Sequence, residues 1–124
     1  MTVLEMYDEF RTLFPEVTTV ADDIHIQAWG SLDPEYSFSW YESLAKAINQ
    51  EMTNEVVASR YAGLFEYVRK QYLLGDDEVK KCIDASFTEN LFWQVKPEKA
   101  KSYWQLLPDI LKTLYVNFHG RPPA

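Results

Sequence analysis

Cysteine is nearly absent from this sequence: Cys82 is alone, so no intramolecular disulfide can form and nothing in the chain asks for an oxidising compartment. Its register among the apolar residues around it marks it as a small core residue rather than a reactive thiol. There are only two histidines, His25 and His119, far apart and in no HxxxH or HExxH arrangement, and with one cysteine no zinc cluster can be assembled. Four scattered glycines leave no GxGxxG or Walker loop to cradle a phosphate, and there is no GxSxG nucleophile elbow. No stretch approaches the roughly 20 apolar residues that cross a bilayer. Residues 1–14, with Glu5, Asp8 and Glu9 among their apolar positions, have neither the basic start nor the apolar core of a signal peptide. The expectation is a cytoplasmic protein that is not an enzyme, carries no cofactor and no metal, and touches neither membrane nor nucleic acid.

What the sequence has in quantity is aromatic side chains and acid. Four Trp, eight Tyr and seven Phe in 124 residues are enough to fill a core and leave rings over for the surface. The formal net charge is −7, which disfavours polyanionic ligands and suits a basic partner. The charge is also uneven: residues 1–55 hold eleven acids against Arg11 and Lys46 alone, whereas residues 56–124 hold eight acids and ten bases. The adjacent acids Asp22-Asp23 and Asp76-Asp77-Glu78 read as solvated loop and cap residues, not as an acid/base pair.

Periodicity points to an all-α fold, a compact bundle or HEAT-like stack of about five to six helices forming a single domain over residues 1–124. Thr2 and Glu5 make a capping box for a first helix that Pro15 is expected to stop. Residues 16–32, rich in β-branched side chains and fitting neither period cleanly, read as an irregular connection with at most one short helix or strand. Asp33-Pro34-Glu35 is a helix start, with Asp as N-cap and Pro at the first helical position, and the helix runs to about Met52. Thr53 or Asn54 can cap a third helix whose residues Val57, Tyr61, Leu64, Phe65, Val68 and Tyr72 fall on one face. Gly75 is expected to end it in the left-handed conformation, and Asp76 to cap a fourth helix running through Leu91. Pro97 opens a fifth helix, Pro108 kinks it or opens a sixth that ends at Gly120, and residues 121–124 are a tail.

The second helix and its approach mix rings with acids and hold no base before Lys46. Asp22, Asp23, Trp29, Asp33, Glu35, Tyr36, Trp40 and Glu42 are therefore the candidate partner-binding residues: aromatic rings supply contact area, and carboxylates supply steering toward a basic protein.

Three segments carry a family likeness. Leu64-Phe65-Glu66-Tyr67-Val68, Gly75-Asp76-Asp77-Glu78-Val79 and Phe87-Thr88-Glu89-Asn90-Leu91 together resemble small helical bacterial immunity proteins, among them those of contact-dependent growth inhibition. The likeness spans about residues 54–93, and Arg69 stands where the pattern often has an acid. It implies a protein that binds a cognate toxin C-terminal domain, a basic nuclease of RNase-like kind, and blocks its active site. Two other readings stay open at this stage: a generic adaptor or regulatory module with the same kind of surface, and a small-molecule binder or enzyme with a pocket among the helices.

Overall fold

The computed structural model describes residues 1–124 and is helical throughout, with no strand and seven α-helices: α1 (Val3–Leu13), α2 (Pro15–Trp29), α3 (Ser37–Thr53), α4 (Ala62–Leu74), α5 (Asp77–Lys81), α6 (Pro97–Leu106) and α7 (Asp109–His119). The capping box of α1 is present in full. Thr2 Oγ1 accepts from the Glu5 amide and a Glu5 carboxylate oxygen accepts from the Thr2 amide, each at 3.1 Å.

Pro15 does not end helical structure; it starts α2. Its missing N–H is one that a first helical turn leaves unpaired anyway, and the break falls on Phe14 (φ −129°) between two nearly continuous helices. Residues 16–29 are thus helical rather than an irregular connection, and only 30–32 remain as turn. The reason lies in packing. Val17, Thr18, Ala21 and His25 repeat at helical spacing and are buried, and α2 lies chiefly along α3. A β-branched residue in a helix costs about 0.7 kcal/mol or less against alanine, while full burial of a valine contributes about 1.5–3 kcal/mol, so tertiary contact outweighs the local preference. The core face was hard to see because two of its four members are polar.

Asp33 caps as expected, its Oδ1 accepting from the Glu35 amide at 3.0 Å, but over a 3₁₀ turn (Pro34–Tyr36) that hands over to α3 at Ser37. α3 is the central element. Trp40, Tyr41, Leu44, Ala45, Ala47, Ile48 and Met52 are all buried, because α1, α2 and the 82–90 segment pack around it. Phe10 of α1 sits against Trp40 and Tyr41 with ring centroids 5.5 and 6.0 Å apart, and Tyr7 meets Trp40 edge-on at 5.2 Å.

The third expected helix begins later than its cap residues imply: α3 runs through Thr53, Glu55 turns the chain with φ 61°, and a 3₁₀ turn (Ala58–Tyr61) leads into α4. Gly75 is not left-handed. It is extended (φ −75°, ψ 162°), and its need for glycine is spatial, since a Cβ there would lie 2.6 Å from both the Gln71 carbonyl oxygen and Val79 Cγ1. The fourth expected helix is three segments, α5, a π-helical turn (Cys82–Phe87) and a 3₁₀ turn (Thr88–Asn90), which together bury Val79, Cys82, Ile83 and Phe87, with Leu91 buried just beyond them. Gly120 closes α7 in the left-handed conformation (φ 83°), and residues 121–124 follow as a non-helical tail. No helix is long and apolar enough to cross a membrane.

Candidate functional site

The eight candidate partner-binding residues separate into two groups. Asp22 and Trp40 belong to the packing of the molecule. Both oxygens of Asp22 accept from the Arg11 guanidinium at 2.7 Å, and Oδ1 also accepts from the Trp40 indole N–H at 2.8 Å. The Arg11 guanidinium lies 5.0 Å from the Tyr7 ring centroid and 5.9 Å from that of Trp40, so α1, α2 and α3 are tied at one node of planar groups. Trp40 is only 1% exposed. A partner cannot reach it, because Tyr7, Phe10 and Tyr41 pack around it. Glu42 is partly neutralised by Lys46 across one helical turn, 3.5 Å away.

The other group is exposed. Trp29 and Tyr36 are 63% and 62% accessible, Ile26 and Leu32 in the same stretch are exposed, and Asp23 and Glu35 are exposed acids with no side-chain partner. Asp33 is half-buried at its cap. The Trp29 ring centroid lies 6.3 Å from that of His25, which is buried with Nδ1 3.3 Å from Ser43 Oγ. Burial pushes the His25 pKa below its ordinary value, against the opposing pull of Asp22, so the ring behind Trp29 is neutral near pH 7. Gly30 (φ 87°) then turns the chain into the segment carrying Leu32, Asp33, Glu35 and Tyr36.

The acids of residues 1–55 are more dispersed than their sequence position suggests. Glu16 pairs with Arg60 at 2.8 Å and Glu55 with Lys99 at 2.9 Å, while Glu9 and Glu51 accept from the hydroxyls of Tyr67 and Tyr61 at 2.8 and 2.7 Å. Those four face the C-terminal half of the chain. Arg11 and Lys46, the only bases in this stretch, are both engaged, by Asp22 and Glu42. The negative charge left without a counter-ion therefore includes Asp23 and Glu35, in the same stretch of sequence as the exposed rings.

A second feature carries no signal in the periodicity. Residues 91–95 connect the 88–90 turn to α6, and both Phe92 (φ 67°) and Gln94 (φ 56°) adopt the left-handed region that non-glycine residues avoid, at a cost of about 1 kcal/mol or more each. Buried Asn49 holds this turn in place. Its Nδ2 donates to the Asn90 carbonyl at 2.9 Å and its Oδ1 accepts from the Phe92 amide at 2.7 Å. Phe92 is driven into the core against Trp104 and Tyr115, while Trp93 between the two strained residues is held outward and is 63% exposed. Trp93 forms one wall of an open groove of about 650 Å³ against α2 and α3, lined also by Ile24, Lys46, Gln50, Thr53, Asn54 and Gln94. The other cavities are open as well, and no group of three His, Cys, Asp or Glu is placed to hold a metal ion. Cys82 is fully buried, and that burial pushes its thiol up to about 12.

Residues 7–120 match a family described as "Domain of unknown function (DUF7674)", and the chain belongs to that family. No curated protein and no solved structure matches it.

Proposed function

We propose that this member of the DUF7674 family is a protein-binding module that docks a basic protein through the surface formed by Ile26, Trp29, Leu32 and Tyr36 with Asp23, Asp33 and Glu35, and that its partner is a toxin domain which it neutralises. The supporting observation is that residues 23–36 expose two large rings, Trp29 and Tyr36, and hold three carboxylates, Asp23, Asp33 and Glu35, that form no ion pair within the molecule. An aromatic side chain has few rotatable bonds and so loses little entropy on docking, and unpaired carboxylates speed encounter with a positive surface and penalise wrong partners. The toxin as partner is what the sequence likeness to bacterial immunity proteins implies. Blocking of a nuclease active site would follow from the same chemistry, since carboxylates can occupy the subsites of phosphates.

The test is co-expression with the toxic domain encoded beside the gene, scoring growth rescue and co-purification. Trp29→Ala and the pair Asp23→Lys with Glu35→Lys are each expected to weaken binding by about tenfold or more while leaving the helical signal intact. Asp33 and Glu42 are poorer choices for substitution because one caps a turn and the other is already paired. Rescue by all variants equal to that of the parent chain would remove this surface from consideration, and failure to bind any such domain would remove the toxin as partner.

A further inference from the structure

Resting on the docking surface proposed above, we infer that it reaches beyond residues 23–36 onto α1, where Leu4 and Asp8 complete it, and that its occupant is a basic protein surface presenting lysine or arginine beside apolar side chains. Three helices meet at one node. Arg11 of α1 donates to both oxygens of Asp22 of α2, and the Trp40 indole of α3 donates to Asp22 Oδ1. The node is not sealed: the side chains of Arg11 and Asp22 stay 29% and 16% accessible, while Trp40 is buried.

Helical spacing extends this node over the surface. Leu4, Asp8 and Arg11 stand at i, i+4 and i+7 and so form one ridge of α1, within about 60° of arc. Asp22, Ile26 and Trp29 form a ridge of α2 at the same spacing, and Tyr36 precedes Trp40 by one turn at the start of α3. Because the Arg11–Asp22 pair joins the first ridge to the second, and the Trp40 indole joins the third to both, the three flank a common centre. The turn that carries Tyr36 also packs directly against α1. Leu4, Asp8, Ile26, Trp29 and Tyr36 all lie within two turns of the node, about 11 Å along their helices, and all five are exposed. A standard interface covers about 800 Å² on each side, a patch about 30 Å across, so one partner can touch all three ridges.

Charge commits this face to a cationic occupant. Its hydrogen bonds to Asp22 are the first cause that holds Arg11 protonated above its ordinary range, and Asp8 adds to the same pull from one turn away. Asp22 has both oxygens taken by that guanidinium, whereas the carboxylates of Asp8 and of Glu35, in the turn packed on α1, form no ion pair. The face therefore sets three carboxylates against one guanidinium, and two of the three are open to a lysine or arginine from outside. Leu4, Ile26, Trp29 and Tyr36 supply the apolar area beside them. A second copy of this chain is not the occupant, because a two-fold contact through this face would bring like charges together.

The experiment titrates the isotope-labelled intact chain with a synthetic amphipathic peptide of leucine and lysine, about 18 residues long, and maps the perturbed amides by nuclear magnetic resonance. Perturbations are expected at Leu4 and Asp8 together with Ile26, Trp29 and Tyr36. Leu4→Ala should weaken binding about threefold or more at every salt concentration, and Asp8→Asn should weaken it as much at low salt while flattening the salt dependence. Both side chains are exposed, and circular dichroism checks that each variant keeps its fold. Perturbation of Ile26, Trp29 and Tyr36 with none on α1, or parent-like affinity in either variant, would overturn the extension onto α1 and leave residues 23–36 standing as the docking surface. No perturbation at all, or perturbation confined to other parts of the molecule such as Trp93, would overturn both.

Discussion

Replacing Asn49 by alanine should cost the protein about 3 kcal/mol of stability. Two interior hydrogen bonds end on this one side chain, from the Phe92 amide at 2.7 Å and to the Asn90 carbonyl at 2.9 Å. Truncation deletes both and leaves a buried backbone donor and an acceptor without partners, each worth about 1–3 kcal/mol when unsatisfied. Water reaching in from the adjoining groove relieves part of this, which places the sum near the lower half of its range. The loss also releases the left-handed Phe92, whose strain no longer has a clamp to hold it, so Trp93 becomes mobile along with the turn. Urea unfolding followed by circular dichroism measures the stability change, with the slope expected to stay constant. Against a typical domain stability of about 5–15 kcal/mol, a loss of this size is plain in the midpoint. Asn49→Asp provides the control, since it keeps the acceptor for Phe92 but sets a carboxylate against the Asn90 carbonyl, and it should destabilise comparably at neutral pH. A change below about 1 kcal/mol for Asn49→Ala would refute the reasoning, because it would mean that the turn is held by something other than this carboxamide.

Two further perturbations test the packing of the fold. Gly75→Ala should destabilise by about 1–3 kcal/mol by overpacking, despite an ordinary backbone conformation, because the new methyl meets the Gln71 carbonyl and Val79 at 2.6 Å; a neutral or stabilising result in chemical denaturation would contradict this account of the α4–α5 turn. Buried His25 has a folded pKa below its ordinary value of about 6.5, so as pH falls through that value the unfolded chain takes up a proton that the folded chain refuses. Its contribution is therefore fully present above about pH 6.5 and lost progressively below it, and thermal melts between pH 7.5 and about 5.5 should show a decline that His25→Gln flattens. A parallel decline in the variant would assign the effect to other groups.

The all-helical class was legible because most helix starts are written locally. Thr2 with Glu5, Asp76, Pro97, and the glycine after His119 all act within a few residues of their own positions, and all mark helix ends in the fold. Residues 15–29 were not legible for a complementary reason: what stabilises α2 is contact with α3, and its buried face includes Thr18 and His25, which no apolar periodicity counts. The same limit governs the sites. Glu35 and Tyr36 follow the Asp33-Pro34 start that the sequence announces, and both are exposed. Trp40 could not be separated from them, since its burial depends on Phe10 and Tyr7, more than a helix away. Trp93 gave no warning at all. Its exposure depends on Asn49, 44 positions earlier, whose amide is written in the sequence like any polar residue on a helix but acts as a brace for the turn that carries the indole. Where a side chain's environment is fixed by a partner distant in sequence, composition and spacing read only half of the interaction. In this molecule the turn that carries Trp93 depends on such a partner, the buried Asn49 beneath it.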